Sequence, residues 1–299
     1  MRLGCIGVGS NAIRLLCAQW ADGKLCADLR ERRGTRLFAG LCGGMLTKES
    51  MDASVEAVGE LAGLARANGA QEVFIFATSA VRDALNGGEF TRRASEAAGA
   101  RVEIITGEEE AVLSYIGASE GGACGVVDIG GGSTEFTLGD GDAVLGAVSL
   151  QLGAVRMNAQ TPILSEEDYE AAVSRSMKII RRDAAQLLSL PKRAYWVGVG
   201  GTMTTLGAMQ KKTPLFLPDV CEGMTISAAD VAQWGRRLSR MTMAERRQVT
   251  GLMPQRADII PSGVAILEAS MRCFAMDEIR LSAHGNMDGY LKKKFKEMC

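Results

Sequence analysis

The chain has 299 residues, of which 47% are hydrophobic and 23% are charged. At about 100–200 residues per domain, this length favours two domains that each bury a core, and no run of about 18 apolar residues is present to span a membrane. The formal net charge of −1 argues against binding to DNA or RNA, which usually shows as a basic excess.

The cysteines and the single histidine argue against several kinds of site. The eight cysteines lie far apart without a CxxC pair, and His284 is the only histidine. The first residues lack the apolar core and cleavage site of a signal peptide. The sequence therefore predicts a cytoplasmic protein with free thiols and without a histidine-rich metal centre.

Strand and helix patterns alternate through the first part of the chain. They predict strands at 2–8, 13–20, 24–33, 73–79 and 102–106, and helices at 50–68, 87–98 and from about 108. This order predicts an α/β domain with a mixed sheet.

After a glycine-rich junction at 119–124, the first motif returns. Residues 5–20 align with residues 126–141, with Gly9 over Gly130, and both segments predict a strand, a glycine turn and a second strand. The repeat predicts an α/β fold of two actin-like (ribonuclease H-like) domains, each with a phosphate-binding β-hairpin that faces an interdomain cleft. We predict these domains at 1–121 and 122–285, with the final helix at 286–299 as a candidate addition to the first.

The second half continues the alternation of helices and strands. It predicts a helix at 165–188, a strand at 194–200, a loop at 213–219, a helix near 227–239, a strand at 278–283 and a basic helical tail.

The segment DIGGGSTE, residues 128–135, is the strongest chemical motif. Three successive glycines (Gly130, Gly131 and Gly132) let backbone N–H groups approach an anion closely, and Ser133 and Thr134 add hydroxyl donors. Asp128 and Glu135 flank the turn as oxygen ligands that suit a hydrated Mg²⁺. The alternative is a tight hairpin with two structural carboxylates.

Two further motifs begin predicted helices. In ITGEEEA, residues 105–111, Thr106 and Glu109 have the spacing of a capping box. The helix dipole favours acidic residues there, but one of the three glutamates could also serve as a general base. In GVGGTMTT, residues 198–205, the helix that opens at Gly200, Gly201 and Thr202 is a candidate anion site or simply a close turn.

Seven segments together resemble the exopolyphosphatase/guanosine pentaphosphate phosphatase family, in its short form within the actin-like superfamily. They follow the order and separations of that family and cover nearly the whole chain. The segments are GSNAIRLL at 9–16, ATSAVRDALNGGEF at 77–90, ITGEEEA at 105–111, VVDIGGGSTEF at 126–136, LGAVR at 152–156, GVGGTMTTLGAM at 198–209 and QRADIIPSGVAIL at 255–267.

The resemblance implies roles for individual residues. Glu110 matches the family's catalytic base, and Asp128 and Glu135 match its metal-site acids, so Mg²⁺ is the expected cofactor. Arg82 matches a phosphate-contacting arginine, although spacing alone favours an ion pair with a nearby acid such as Asp83 or Glu89. The first phosphate-binding turn is matched by Gly9, Ser10, Asn11 and Arg14.

The activity that the resemblance implies is removal of the terminal phosphate from inorganic polyphosphate or guanosine pentaphosphate. Water would attack in line while Glu110 takes its proton. Two basic clusters would guide the rest of a long anion, although each taken alone is more typical of a solvated face; they are Arg30, Arg32, Arg33 and Arg36, and Arg181, Arg182, Lys192 and Arg193. Two rival functions are a sugar or acetate kinase of the same superfamily and a non-catalytic sensor of a phosphorylated ligand. Neither nucleic acid nor membrane is an expected partner, and a homodimer is left open.

Three positions depart from the family pattern. Gly7 stands where the family has an aspartate, and the repeat agrees, because Gly7 aligns with Asp128. Cys221 stands where many members have a histidine, and the turn at 284–289 lacks the usual arginine and glutamate. These changes imply a different substrate, different metal use or reduced activity.

Overall fold

The computed structural model describes residues 1–213 and 218–298, which form two compact units. Unit 1 consists of Met1–Gly117 with the segment that begins at Asn286, and unit 2 consists of Ala118–Gly285. The predicted domain limits lie close to these units and remain a prediction. Most of the loop predicted at 213–219 lies outside the described residues.

Unit 1 is built on a five-stranded sheet with the order β3-β2-β1-β6-β7. Strands β3, β2 and β1 pair antiparallel, and β1, β6 and β7 pair parallel. The strands of unit 1, including a small separate pair β4–β5, are β1 (Arg2–Val8), β2 (Ile13–Ala21), β3 (Lys24–Arg33), β4 (Leu41–Cys42), β5 (Met45–Leu46), β6 (Glu72–Ala77) and β7 (Val102–Ile104).

The helices of unit 1 agree with the predicted ones, with one addition. They are α1 (Lys48–Ala67), α2 (Ser79–Arg82), α3 (Gly87–Ala98), α4 (Gly107–Ala118) and α12 (Asn286–Met298). The strand predicted at 73–79 ends at Ala77, because the chain turns at Thr78 into the short helix α2. That turn places Arg82 at the end of a helix.

Helix α12 covers one face of the unit 1 sheet. Met287, Tyr290 and Leu291 are buried against Cys5, Leu16 and Phe76 among others. The rings of Phe76 and Tyr290 stack with centroids 5.2 Å apart. The helix therefore completes a hydrophobic core that strands β1, β2 and β6 present to it.

The strands of unit 2 are β8 (Ala123–Ile129), β9 (Thr134–Asp140), β10 (Ala143–Leu150), β11 (Tyr195–Val199), β12 (Thr225–Ser227) and β13 (Glu278–Leu281). They form a six-stranded sheet with the order β10-β9-β8-β11-β13-β12. Its helices are α5 (Ala154–Gln160), α6 (Glu166–Asp183), α7 (Ala185–Leu188), α8 (Gly201–Gln210), α9 (Ala228–Arg240), α10 (Met243–Arg246) and α11 (Ile260–Phe274). The single helix predicted at 165–188 is wrong in one respect, because it is interrupted at Ala184, whose φ of −108° and ψ of 19° leave the helical region.

The two sheets share one topology, which confirms the predicted duplication. In both, an antiparallel three-stranded meander continues into parallel strands, so that β3-β2-β1-β6-β7 corresponds to β10-β9-β8-β11-β13. The aligned turns also match: the N–H of Gly9 donates to the carbonyl of Ala12 at 3.2 Å, and that of Gly130 donates to the carbonyl of Ser133 at 3.0 Å. Within the described residues, no helix has the length and hydropathy to cross a bilayer.

Candidate active site

Only one of the three glutamates at the start of α4 points into the protein. Glu109 caps the helix, since it accepts the N–H of Thr106 at 2.7 Å while its own N–H donates to Thr106 Oγ1 at 3.1 Å. The backbone N–H of Thr106, followed by its side chain, lowers the pKa of the Glu109 carboxyl group. Glu108 is exposed, whereas Glu110 is buried, with 6% of its surface accessible. Helix capping therefore accounts for Glu109. It does not account for the buried Glu110, which is the candidate for a catalytic role.

The carboxylate of Glu110 lies between two side chains of unit 1. Arg82 Nη1 lies 3.3 Å from Glu110 Oε2 and also donates to the carbonyl oxygen of Ile105 at 3.0 Å. On the other side, Asn286 Nδ2 makes a long contact of 3.5 Å with Glu110 Oε1. Arg82 therefore has an ionic partner that the spacing-based alternatives, Asp83 and Glu89, did not include.

Asn286 connects the candidate base to the first hairpin. Its Oδ1 accepts from Arg14 Nη2 at 3.5 Å, and the residue itself is buried, with 5% of its surface accessible. In the same hairpin, Ser10 Oγ lies 2.9 Å from Ser79 Oγ at the start of α2. Arg14, Asn286, Glu110 and Arg82 thus form one polar group.

The glycine turn of the second hairpin is held from one side. The carbonyl of Gly130 accepts the N–H of Ala154, the carbonyl of Gly131 accepts those of Val155 and Arg156, and Arg156 Nε donates to the carbonyl of Gly132 at 2.6 Å. In the described part of the chain, no backbone acceptor binds the N–H of Gly131 or Gly132. The carbonyls are therefore satisfied, and two amides are free to bind an anion.

The hydroxyls next to this turn are less available than the sequence indicates. Thr134 is completely buried, and its Oγ1 donates to the carbonyl of Leu152 at 2.5 Å. Since a hydroxyl has one proton, Thr134 in this structure donates it to Leu152 and not to a phosphate, and the phosphate contact predicted for this residue stays a prediction. Ser133 is buried to 2% accessibility next to the free amides.

Asp128 and Glu135 are directly opposite each other on the antiparallel strands β8 and β9. Both are buried, and Glu135 Oε1 accepts a hydrogen bond of 2.6 Å from Ser149 on β10. Within the described residues, no group of three or more histidine, cysteine or acidic side chains is arranged to hold a metal. A pair of buried carboxylates still fits Mg²⁺, which takes one or two carboxylates and keeps several waters.

The glycine pair before α8 makes room for two charged side chains of unit 2. Gly200 has φ 92°, and a Cβ there would lie 2.6 Å from Asp128 Oδ1. At Gly201 a Cβ would overlap the guanidinium of Arg256. A carboxylate and a guanidinium therefore both reach the start of this helix because both residues lack a side chain.

The threonines of α8 do not face a ligand in this arrangement. Thr204 and Thr205 bond back to the carbonyls of Gly200 and Gly201, and the buried Thr202 packs its Oγ1 next to Gly263 of α11. The predicted anion site at Gly200, Gly201 and Thr202 therefore depends on backbone N–H groups of the first turn, among them that of Thr202.

Three site residues were missed from the sequence. Arg156 and Arg256 lie within the motifs LGAVR and QRADIIPSGVAIL, so their signal was present but their role was not assigned. Asn286 gave no signal beyond its place in a glycine-flanked turn. Its contact with Glu110 joins residues 176 positions apart, which no local pattern reveals.

Comparisons with known proteins identify the family of this chain. Residues 17–297 match the model of the Ppx/GppA phosphatase family. Exopolyphosphatase 2 of Mycobacterium tuberculosis is 32% identical over 310 residues, covering 96% of this chain and 97% of that protein. Exopolyphosphatase 1 of Mycobacterium leprae is 28% identical and covers 98% and 89%.

Solved structures agree with this assignment over the full length. The Ppx/GppA protein of Aquifex aeolicus superposes with a TM-score of 0.83 at 28% identity, covering 100% of this chain and 98% of that one. An exopolyphosphatase-like protein superposes with a TM-score of 0.91 at 26% identity over the whole of both chains. The chain therefore belongs to the Ppx/GppA phosphatase family, whose members are phosphoanhydride hydrolases, and has the two-domain actin-like fold of that family.

Proposed function

We propose that this enzyme removes the terminal phosphate from inorganic polyphosphate, with guanosine pentaphosphate as the second candidate substrate. The observation that carries the proposal is the 32% identity to an exopolyphosphatase along 96% of the chain. The ion pair of the buried Glu110 with the partly buried Arg82 supports it, because a phosphohydrolase needs a positioned base and a cation for the phosphate oxygens.

In this proposal Glu110 takes the proton from the attacking water. Its carboxylate is held from both sides by Arg82 and Asn286, so its direction is fixed before substrate arrives. A base that is held in place contributes more than a mobile one, because orientation is part of the barrier. Arg82 and Arg14 supply positive charge for phosphate oxygens.

The second hairpin carries candidate phosphate contacts of its own. The free N–H groups of Gly131 and Gly132, with Ser133, would bind phosphate oxygens. Asp128 and Glu135 would hold Mg²⁺, which when bound offsets the negative charge of phosphate oxygens. Ser149 would keep Glu135 turned toward that position through its hydrogen bond.

Phosphate release tests the proposed activity. The purified protein should release phosphate from polyphosphate in the presence of Mg²⁺, and chelation should abolish the release. Guanosine pentaphosphate, tested at the same concentrations, decides which substrate is preferred by kcat/KM. Absence of release from both substrates across Mg²⁺ concentrations would contradict the proposal.

A second experiment tests the metal ligands. Asp128→Asn and Glu135→Gln should each raise the Mg²⁺ concentration that gives half-maximal activity, because each removes a charged ligand. Asp140→Asn is the matched control, since this acid lies exposed at the far end of the same strand. An unchanged Mg²⁺ profile in both ligand variants would show that the pair is structural.

We also expect a cytoplasmic enzyme without nucleic acid partners.

A further inference from the structure

Two arginines of unit 1 are directly opposite each other on neighbouring strands. Arg14 of β2 pairs in register with Arg32 of β3. Side chains of directly opposed residues lie on the same face of a sheet, and like charges there are destabilising. The sheet therefore brings two positive charges together on the face that also contacts Asn286.

Two basic neighbours of Arg32 on β3 have acidic partners. Arg30 forms a 2.9 Å ion pair with the buried Asp288, and Arg33 binds Glu60 at 2.7 Å and Glu31 at 3.0 Å. In the part of the chain that the structure describes, no acidic side chain pairs with Arg14 or Arg32.

Arg32 is also partly withdrawn from water. Its Nε is buried and has no hydrogen-bond partner among the described residues. Burial lowers the pKa of Arg32, and the nearby charge of Arg14 lowers it further. A buried donor without a partner costs free energy, and an acceptor that binds there would remove that cost.

At the corresponding position of the second hairpin, two opposed side chains form a hydrogen bond with each other. By the alignment of Gly9 with Gly130, Arg14 corresponds to Glu135. The residue opposite Glu135 is Ser149, which donates a hydrogen bond to it. In the first hairpin the corresponding partner is Arg32, a like charge. The second hairpin therefore pairs an acceptor with a donor, whereas the first hairpin places two donors, Arg14 and Arg32, opposite each other.

We propose that Arg14 and Arg32 together form an oxyanion subsite that binds one phosphate group of the substrate chain. Two guanidinium groups can each present paired N–H donors to phosphate oxygens, and an anion between them replaces repulsion with attraction. The inference rests on the proposed function for the identity of the ligand and adds Arg32 as a specific binding residue.

The test compares Arg32→Gln with Arg92→Gln. Arg92 lies on α3 of the same unit, is exposed, pairs with Glu96 and belongs to neither basic cluster, so it is the matched control. With polyphosphate of fixed length, Arg32→Gln should raise KM about tenfold, which corresponds to about 1.4 kcal/mol. The value of kcat should stay nearly constant, and Arg92→Gln should leave both constants unchanged. Arg32→Lys, which keeps the charge, should fall between the parent and Arg32→Gln.

Calorimetric titration with polyphosphate separates this inference from the proposed function. If the parent binds polyphosphate but releases no phosphate, the proposed activity fails, and weaker binding to Arg32→Gln alone still supports the subsite. Equal affinity of the parent, Arg32→Gln and Arg92→Gln would overturn it. Urea unfolding in phosphate-free buffer checks the fold of each variant, and Arg32→Lys serves if Arg32→Gln does not fold.

Discussion

The side chain of Met287 lies over Gly7. A Cβ at residue 7 would be 3.2 Å from Met287 Cγ and 3.3 Å from its Sδ, with Phe76 Cζ at 3.4 Å. Gly7 does not have a positive φ, so its backbone would accept other residues. The limit at this position is therefore space and polarity, set by a methionine from α12.

We expect Gly7→Asp to destabilise the protein rather than to restore a metal ligand. The new side chain would crowd Met287 and place a carboxylate beside apolar groups, which costs about 1–3 kcal/mol for overpacking alone. Urea unfolding measures the loss. The double variant Gly7→Asp with Met287→Ala should regain part of it, because the space is then open. A single variant as stable as the parent, with a lower Mg²⁺ requirement, would favour the lost-ligand interpretation of Gly7.

Glu110→Gln should lower kcat by about 10²–10⁴-fold, the usual contribution of a general base. Folding should persist, because the amide can still accept from Arg82. Glu109→Gln is the control: glutamine also fits a capping box, so turnover should be retained. Steady-state phosphate release of both variants gives the answer. Full turnover in Glu110→Gln would move the role of base to another residue.

Gly153→Ala should displace the glycine turn of the second hairpin. A Cβ at Gly153 would overlap the carbonyl oxygen of Gly131, and since the neighbour is backbone, the turn must shift. We expect a loss of about 1–3 kcal/mol in unfolding free energy and a higher KM. Gly63→Ala is the control, because nothing surrounds its Cβ in α1, and it should stabilise by about 0.5–1 kcal/mol. An unchanged KM in Gly153→Ala would show that the turn does not bind substrate.

The thiols should react in two groups. Burial, followed by the charge of Asp288, raises the pKa of Cys5 well above its ordinary value, and burial also raises the pKa of Cys17. Because the thiolate is the reactive form, iodoacetamide near pH 8 should modify the exposed Cys26 and Cys42 first. Mass spectrometry of peptides over time measures the order. Early modification of Cys5 in folded protein would contradict its burial.

The repeated hairpins could be predicted because glycine turns and apolar strands are local signals. Gly9 and Gly130 gave the alignment, and the capping box of Thr106 and Glu109 gave the start of α4. The direction of each side chain could not be predicted in this way. The sequence predicts the Thr134 hydroxyl as a phosphate donor, whereas in the structure this hydroxyl donates to the carbonyl oxygen of Leu152.

Contacts between distant residues were also beyond local patterns. Spacing alone favoured an ion pair of Arg82 with a neighbour in sequence, but its guanidinium lies beside Glu110, 28 positions away. The like-charged pair of Arg14 and Arg32 depends on the register of β2 and β3, which the hydrophobic pattern alone does not fix.

Unit 1 is assembled from two stretches of chain with all of unit 2 between them. Its contact between Arg14 and Asn286 spans 272 positions, and the one between Arg30 and Asp288 spans 258. Such closures are entropically costly and slow folding, whereas unit 2 is one continuous segment. We therefore expect unit 2 to reach its native state first during folding. The core formed by β1, β2 and β6 of unit 1 is complete only when α12 packs over these strands. Catalytic competence would then arise late, since Asn286 reaches Glu110 only when α12 docks.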